Sequence, residues 1–259
     1  MKWLRGLGVA AGLCLIWQLL VWATGAPKFI LPGPLLVAKS LADNTGLLLA
    51  HAGVTLAEIL LGLLFGVLLG LGSALTLIWF RRLRPWLLPV LVVSQSIPVF
   101  ALAPVLMLWL GYGMASKVAM ATLIIYFPVT AACYDGLRHT PSGWLELART
   151  LGAGKRAMLL QVRLPAALPA LGSGLRVAAS VAPIGAVVGE WVGSSTGLGY
   201  LMLHANARMQ VDLMFAALLV LALMAVGLYF LIDRLLKRLM PWQPETLFDD
   251  DNNDKEINA

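Results

Sequence analysis

The sequence predicts an all-α protein that crosses a membrane six times, because of its composition and the spacing of its apolar segments. Hydrophobic residues make up 60% of the 259 positions and charged residues only 12%, whereas soluble domains average nearly half apolar and about a quarter charged. The apolar residues form segments close to the roughly 20 residues that a bilayer core requires, with short basic loops between them. A soluble fold could not bury this much hydrocarbon.

The predicted membrane helices divide the chain into three parts. They lie at about 6–24, 54–79, 86–110, 117–135, 168–192 and 212–236. The first helix and the segment after it make up 1–50, and the other five belong to a membrane domain at 51–240. The remaining part, 241–259, contains a polar, acidic run and is predicted to be a disordered tail.

The first helix has a signal peptide as its alternative interpretation, because Lys2 and Arg5 precede it and small residues follow it. Its apolar run, however, exceeds the roughly 7–15 residues of a signal peptide. Pro27 would also sit just after the best cleavage site. A retained membrane helix is therefore favoured.

The positions of the cations predict that both termini are cytoplasmic. With the N-terminus inside, 14 of the 19 Lys and Arg residues fall in cytoplasmic segments, where cations near helix ends are retained. The opposite side has only Lys28, Lys39, Lys117 and Arg208, and Arg176 lies within the fifth helix. The one large cytoplasmic loop between helices is then 136–167.

Small residues predict close helix packing at two places. Gly62, Gly66 and Gly70 repeat at intervals of four in the second helix, and Gly185 and Gly189 do so in the fifth. Such spacing lets helix backbones approach closely along one face. It predicts a compact bundle and leaves function open.

The third helix carries Pro89, Pro98 and Pro104, with the polar residues Ser94, Gln95 and Ser96 between the first two. Broken polar backbone within a membrane is tolerated only against protein or a water-filled cavity. We therefore consider Ser94, Gln95 and Ser96 candidates for a translocation pathway. Hydrogen bonding between helices is the alternative.

Two carboxylates, Glu58 and Glu190, lie within or at the ends of membrane helices, where an ionisable group is costly. Glu190 is a candidate pathway or gating residue. Alternatively, it is an interfacial carboxylate that backbone groups or Arg176 satisfy. Arg176 lies about 21 Å away along one straight helix, which disfavours that pairing.

The loop 136–167 contains the most informative pattern. A Glu146-Leu147-Ala148 run precedes Gly152, and nine residues later comes Val162-Arg163-Leu164-Pro165. We expect a helix from about 144 to 150, a turn at Gly152, where a positive φ costs little, and a second helix that ends at the Leu164-Pro165 step. This helix–turn–helix would form a rigid projection on the cytoplasmic side.

The same pattern resembles the EAA loop of bacterial ABC importer permeases, except that Leu147 stands where the family usually has Ala and Val162 where it usually has Ile. The resemblance covers roughly 50–240. Stretches at 189–191, 197–201 and, after the first helix, 30–34 are similar to the branch that imports sulfonates, nitrate and thiamine-precursor pyrimidines.

The resemblance implies a type I importer-like bundle in the bacterial inner membrane, in contact with lipid and paired as a homodimer. The loop would dock on a separate ATPase subunit that binds ATP and magnesium, so that this chain needs no cofactor. A periplasmic or lipid-anchored binding protein would deliver a small polar solute, with a thiamine-precursor pyrimidine as first choice and a sulfonate or nitrate-like anion as the others. The docking residues would be Glu146, Ala148, Gly152, Val162, Leu164 and Pro165.

Other functions find less support in the residues. Leu151–Lys155 resembles a phosphate-binding loop, but Arg149 and Arg156 replace its first Gly and its Ser or Thr. Gly193–Gly197 fits G-x-S-x-G, yet a membrane helix precedes it, and the His204 that follows comes before Asp212, the reverse of the order that this motif requires. The cations form no continuous basic face, which disfavours nucleic-acid binding. A stand-alone secondary transporter is the alternative, although no internal repeat supports it.

Overall fold

The computed structural model describes residues 2–242, so the tail predicted at 241–259 lies outside the described residues from Gln243 onward. The described residues are mostly helical and contain no strand, which confirms the all-α class. In chain order the helices are α1 Lys2–Thr24, α2 Pro34–Asp43, α3 Thr45–Trp79, a 3₁₀ turn Arg81–Leu83, α4 Arg84–Ser96, α5 Val99–Leu110, α6 Met114–Arg138, α7 Ser142–Thr150, α8 Lys155–Ala157, a π-helical segment Met158–Arg163, α9 Leu164–Gly193, α10 Leu198–Ala207 and α11 Val211–Leu239.

Within residues 2–242, four helices are long and apolar enough to cross a membrane. They are Thr45–Trp79, Met114–Arg138, Lys155–Gly193 and Val211–Leu239. The bent pair α4 and α5 is a broken span or a re-entrant loop, and α1 contains the shorter apolar stretch Ala11–Thr24. Each of the six predicted segments is therefore helical.

The third predicted helix, 86–110, is not continuous, and this corrects the sequence prediction. α4 and α5 meet at an angle of 99°. Ile97 and Pro98 have extended ψ angles of 118° at the break. Pro98 lacks the N–H that would continue the helix and disfavours an α conformation at the residue before it.

The glycine spacing predicted the central interface, where α3 and α9 both pack closely against α6. Cβ atoms added at Gly62 and Gly185 would both collide with Ala121. One added at Gly66 would lie 2.5 Å from the Ile125 side chain. Close approach of these three backbones therefore requires the glycines, and it builds the main hydrophobic core.

A second, smaller core lies around α10. Val37 of α2, Leu48 of α3, Leu198 of α10 and Leu213 of α11 are among its buried residues. The short helices α2 and α10 are thus fixed to the bundle by apolar contacts.

Candidate functional sites at opposite ends of the bundle

The first candidate site is the segment 142–165, which we call the α7 loop, and its turn is formed by local hydrogen bonds. Gly152 has φ +78°, as the sequence predicted. Its N–H donates to the Arg149 carbonyl, and the Ala153 N–H donates to the Ala148 carbonyl, both at 2.9 Å. These two bonds form a Schellman motif, which satisfies carbonyls at the end of α7.

The second half of the α7 loop differs from the prediction, because the Leu164-Pro165 step does not end a helix. Lys155–Gly193 forms one continuous span, with a π-helical segment at Met158–Arg163. In that segment the Leu164 N–H bonds to the Leu159 carbonyl, five residues back. The wider π turn gives the Pro165 ring room that an α-helical turn would not offer.

The structure brings three of the predicted docking residues together around one cavity of about 560 Å³. Its lining residues are Trp144, Leu147, Ala148, Leu151, Gln161, Val162, Pro165, Ala166, Pro169 and Trp242. Leu164 instead packs against the main core, and Glu146 is exposed on α7. Sequence reasoning missed the aromatic walls Trp144 and Trp242, since no local pattern joins positions so far apart.

The α7 helix has no buried residue. Trp144, Leu147 and Leu151 are 57%, 62% and 78% exposed. A short helix with three large exposed apolar side chains is typical of a surface that a partner covers.

The second candidate site, which we call the buried polar cluster, consists of Thr55 and Glu58 on α3, Lys117 on α6 and Glu190 on α9. All four side chains are buried, at 4% exposure or less. Lys117 lies near the start of α6 and α7 follows its end, so the two sites are separated by about 30 Å along that helix.

An ion pair joins α3 to α6 within the cluster. The Lys117 Nζ lies 3.2 Å from the Glu58 Oε1. The Glu58 oxygens accept no well-aligned hydrogen bond from the described residues, so charge attraction is the main contact of this carboxylate. Glu190 is its second charged neighbour.

Glu190 caps the N-terminus of α10. The Thr55 hydroxyl donates to Glu190 Oε1 at 2.6 Å, and the N–H groups of Gly199 and Tyr200 donate to Oε2. The Leu198 N–H donates to the Thr55 oxygen at 2.8 Å. A carboxylate at this position satisfies free N–H groups and interacts favourably with the helix dipole.

The turn between α9 and α10 is held by one more side chain, because the Gly197 N–H donates to His51 Nδ1 at 2.9 Å. Gly197 has φ +108°, and a Cβ at Gly197 or Gly199 would collide with the Glu190 carboxyl. The glycines of this stretch therefore let a buried carboxylate approach the backbone. The G-x-S-x-G match at 193–197 is this turn between helices.

The backbone interpretation of Glu190 is confirmed, whereas its role in a pathway stays a prediction. Arg176 is not its partner, because the Arg176 Nε donates to Asp233 Oδ1 at 2.8 Å. The Thr55 and His51 contacts of this site were missed. Polar side chains within apolar helices were a signal for buried pairing, but the sequence gives no register between helices.

The other pathway candidates lie beside the α4–α5 break. Ser94 and Ser96 are exposed, and their hydroxyls donate to the Leu91 and Val92 carbonyls of their own helix at 2.7 and 3.4 Å. Neither hydrogen bond links these serines to Glu190. The Gln95 side chain lies outside the described part of the structure.

Comparison with known proteins identifies the family. Residues 45–243 match the family described as the binding-protein-dependent transport system inner membrane component. The chain belongs to this family. It is a multi-pass membrane protein and the permease subunit of an ABC importer, which decides against the stand-alone secondary transporter.

Three relatives and one solved structure are close to this chain. A probable ABC transporter permease protein of Haemophilus influenzae is 61% identical, over 92% of this chain and 97% of the relative. A formylaminopyrimidine transport permease of Halalkalibacterium halodurans is 38% identical over 89% and 92%, and a riboflavin transport permease of Chloroflexus aurantiacus is 40% identical over 92% and 90%. A chain of the MetNI methionine ABC transporter, in an inward-facing conformation, has the same fold, with TM-score 0.67, 21% identity, and coverage of 76% and 97%.

Proposed function

We propose that this permease imports a small heteroaromatic solute and that the α7 loop transmits the work of a separate cytoplasmic ATPase to the membrane helices. The observation that carries this proposal is the Schellman-capped helix α7, which presents exposed apolar residues in and around the EAA-like run. ATP binding would close two ATPase subunits, and the docked α7 loops would move with them. The chain itself would bind neither ATP nor magnesium.

The docking role of the α7 loop is supported by its local rigidity and its exposure. Gly152 fixes the turn, Ala148, Val162 and Pro165 surround the cavity, and Leu164 anchors the loop to the core. Glu146 is exposed and makes no ion pair within the described residues. Its carboxylate is therefore available for polar groups of the ATPase.

Two copies of this chain would form the complete pathway, since a homodimer is the simplest closed assembly. The α4–α5 break would line it with Ser94, Gln95 and Ser96. Large apolar residues of α5 support a partner or lipid on this side, because Leu108 and Trp109 are 83% and 75% exposed. Glu190 would act at the opposite end from α7, where it holds the α9–α10 turn.

The solute proposal is based on the relatives. Formylaminopyrimidine and riboflavin, the solutes in the two relatives' names, are heteroaromatic and polar, and a thiamine-precursor pyrimidine remains our first choice. A periplasmic or lipid-anchored binding protein would select the solute. Solute binding to the purified partner binding protein tests the choice directly.

The orientation proposed here has both termini in the cytoplasm and the buried polar cluster at the periplasmic end. Reporters fused after Arg84 and Arg163 should read cytoplasmic. Those fused at Asn44 and Met114 should read periplasmic. A periplasmic signal from Arg163 would refute both the orientation and ATPase docking at the α7 loop.

Reconstitution of the permease with the ATPase and the binding protein tests the function as a whole. The complex should hydrolyse ATP faster when the solute-loaded binding protein is present, and solute should accumulate inside the vesicles. The purified chain alone should hydrolyse no ATP. Robust hydrolysis by this chain without the ATPase would contradict the proposed division of labour.

A further inference from the structure

The cavity beside α7 has an almost entirely apolar lining. Its walls come from α7, from the segment 161–169 and from Trp242. Gln161 is the only lining residue with an amide side chain, and the others are aliphatic, aromatic, Ala or Pro. An open apolar cavity of about 560 Å³ next to water favours an apolar occupant.

The chain itself continues from the wall of this cavity. Trp242 is the last described residue, and the next apolar pair, Leu247 and Phe248, follows five and six residues later. An extended chain spans up to about 3.3–3.6 Å per residue, so these side chains can reach roughly 17–22 Å from Trp242. That distance is enough to reach a cavity that Trp242 itself lines.

The charge of the segment after Phe248 is opposite to that of the α7 loop. Five acidic residues and one lysine follow the apolar pair, a formal charge of −4; they are Asp249, Asp250, Asp251, Asp254, Glu256 and Lys255. The α7 loop carries four cations between 149 and 163, namely Arg149, Lys155, Arg156 and Arg163. Glu146 is its only acidic residue.

We propose that residues 243–256 bind back onto the α7 loop, with Leu247 and Phe248 in the cavity and the acidic run on the cations of the loop. The occupied face is the one that the ATPase covers in the proposed function, on which this inference rests. The tail therefore competes with the ATPase, and it covers the apolar residues of α7 while the permease has no ATPase bound.

A disulfide experiment on the full chain in membrane vesicles tests this binding. In a background with Cys14→Ser and Cys133→Ala, Phe248→Cys is combined with Leu147→Cys, whose side chain lines the cavity. The matched control combines Phe248→Cys with Thr150→Cys, which is exposed on the same helix but outside the cavity lining. A melting temperature in detergent equal to that of the cysteine-free background shows that each double variant has folded.

A bound tail should form the 147–248 disulfide about tenfold faster than the 150–248 disulfide, because binding raises the effective concentration at one site only. Saturating ATPase should remove this preference. Equal rates at both positions would overturn the proposal and would also point to lipid as the occupant. A preference that persists with ATPase bound would overturn competition and locate ATPase docking elsewhere.

Truncation after Trp242 gives a second measurement without any cysteine. If the tail covers the site nine-tenths of the time, its removal should tighten ATPase binding about tenfold, since apparent affinity scales with the fraction of free sites. Changing Asp249, Asp250 and Asp251 to Asn should give part of this effect. Unchanged ATPase affinity in the truncated chain would refute the competition, whereas ATPase binding itself would still support the proposed function.

Discussion

The two ends of the bundle use polar and apolar residues in opposite ways. At the α10 end, the buried polar cluster places two carboxylates and a lysine inside the protein. At the α7 end, a tryptophan and two leucines face outward, and no residue of α7 is buried. Interior polar groups with specific partners fix one arrangement, whereas exposed apolar groups leave a surface for another molecule. We therefore expect the first end to be rigid and the second to bind a partner.

This difference predicts where substitutions will damage the fold and where they will damage the complex. Breaking a buried ion pair leaves an uncompensated charge and costs about 3–5 kcal/mol, a large share of the roughly 5–15 kcal/mol that holds a typical protein folded. Changes on the exposed face of α7 should leave stability unaffected and reduce partner affinity instead.

The largest effect is expected for Lys117→Met. It leaves Glu58 buried without its cation, so we expect a loss of about 3–5 kcal/mol and a strongly reduced melting temperature in detergent. The matched control is Lys117→Met with Glu58→Gln, which removes both charges and should recover most of the stability. If the single variant had the melting temperature of the wild-type protein, the ion pair would not be needed for the stability of the α10 end.

A smaller effect is expected for Thr55→Val, which keeps the side-chain shape. The change removes a donor to Glu190 and the acceptor of the Leu198 N–H, and should cost about 1–3 kcal/mol. Hydrogen exchange should accelerate at Leu198. Thr76→Val is the control, because Thr76 bonds only to its own helix at Gly72. Equal exchange at Leu198 in both variants would contradict the cap.

Gly152→Val should have a smaller effect on stability than Lys117→Met and should act mainly on binding. No atom lies within 4 Å of an added Cβ, so the cost comes from φ +78° and is about 1–2 kcal/mol. The protein should stay folded in the membrane but bind the ATPase more weakly.

Gly152→Asn sharpens this test, since Asn tolerates the left-handed conformation. It should retain most of the ATPase affinity. If Gly152→Val copurified with the ATPase as well as the wild-type chain does, the shape of the turn would not matter for docking.

Sequence patterns predicted the features that depend on neighbouring positions. The apolar segments, the glycine rows at 62–70 and 185–189, and the left-handed turn at Gly152 all follow from local spacing. The partners of Glu190 did not, because Thr55 is 135 residues away and the relative register of two helices depends on packing. The π-helical segment before Pro165 could not be predicted from the sequence either, since α- and π-helical turns have the same residue preferences.

The central claim is that the α7 end is a docking surface, and the binding of the ATPase to Glu146→Ala tests it most directly. Charge-assisted contacts are worth about 1.5–3 kcal/mol, so ATPase affinity should fall roughly tenfold to over a hundredfold with no change in melting temperature. Asp43→Ala, which removes an exposed carboxylate at the α10 end, should bind the ATPase as the wild-type chain does. Unchanged affinity and full solute-stimulated ATP hydrolysis in Glu146→Ala would contradict the claim.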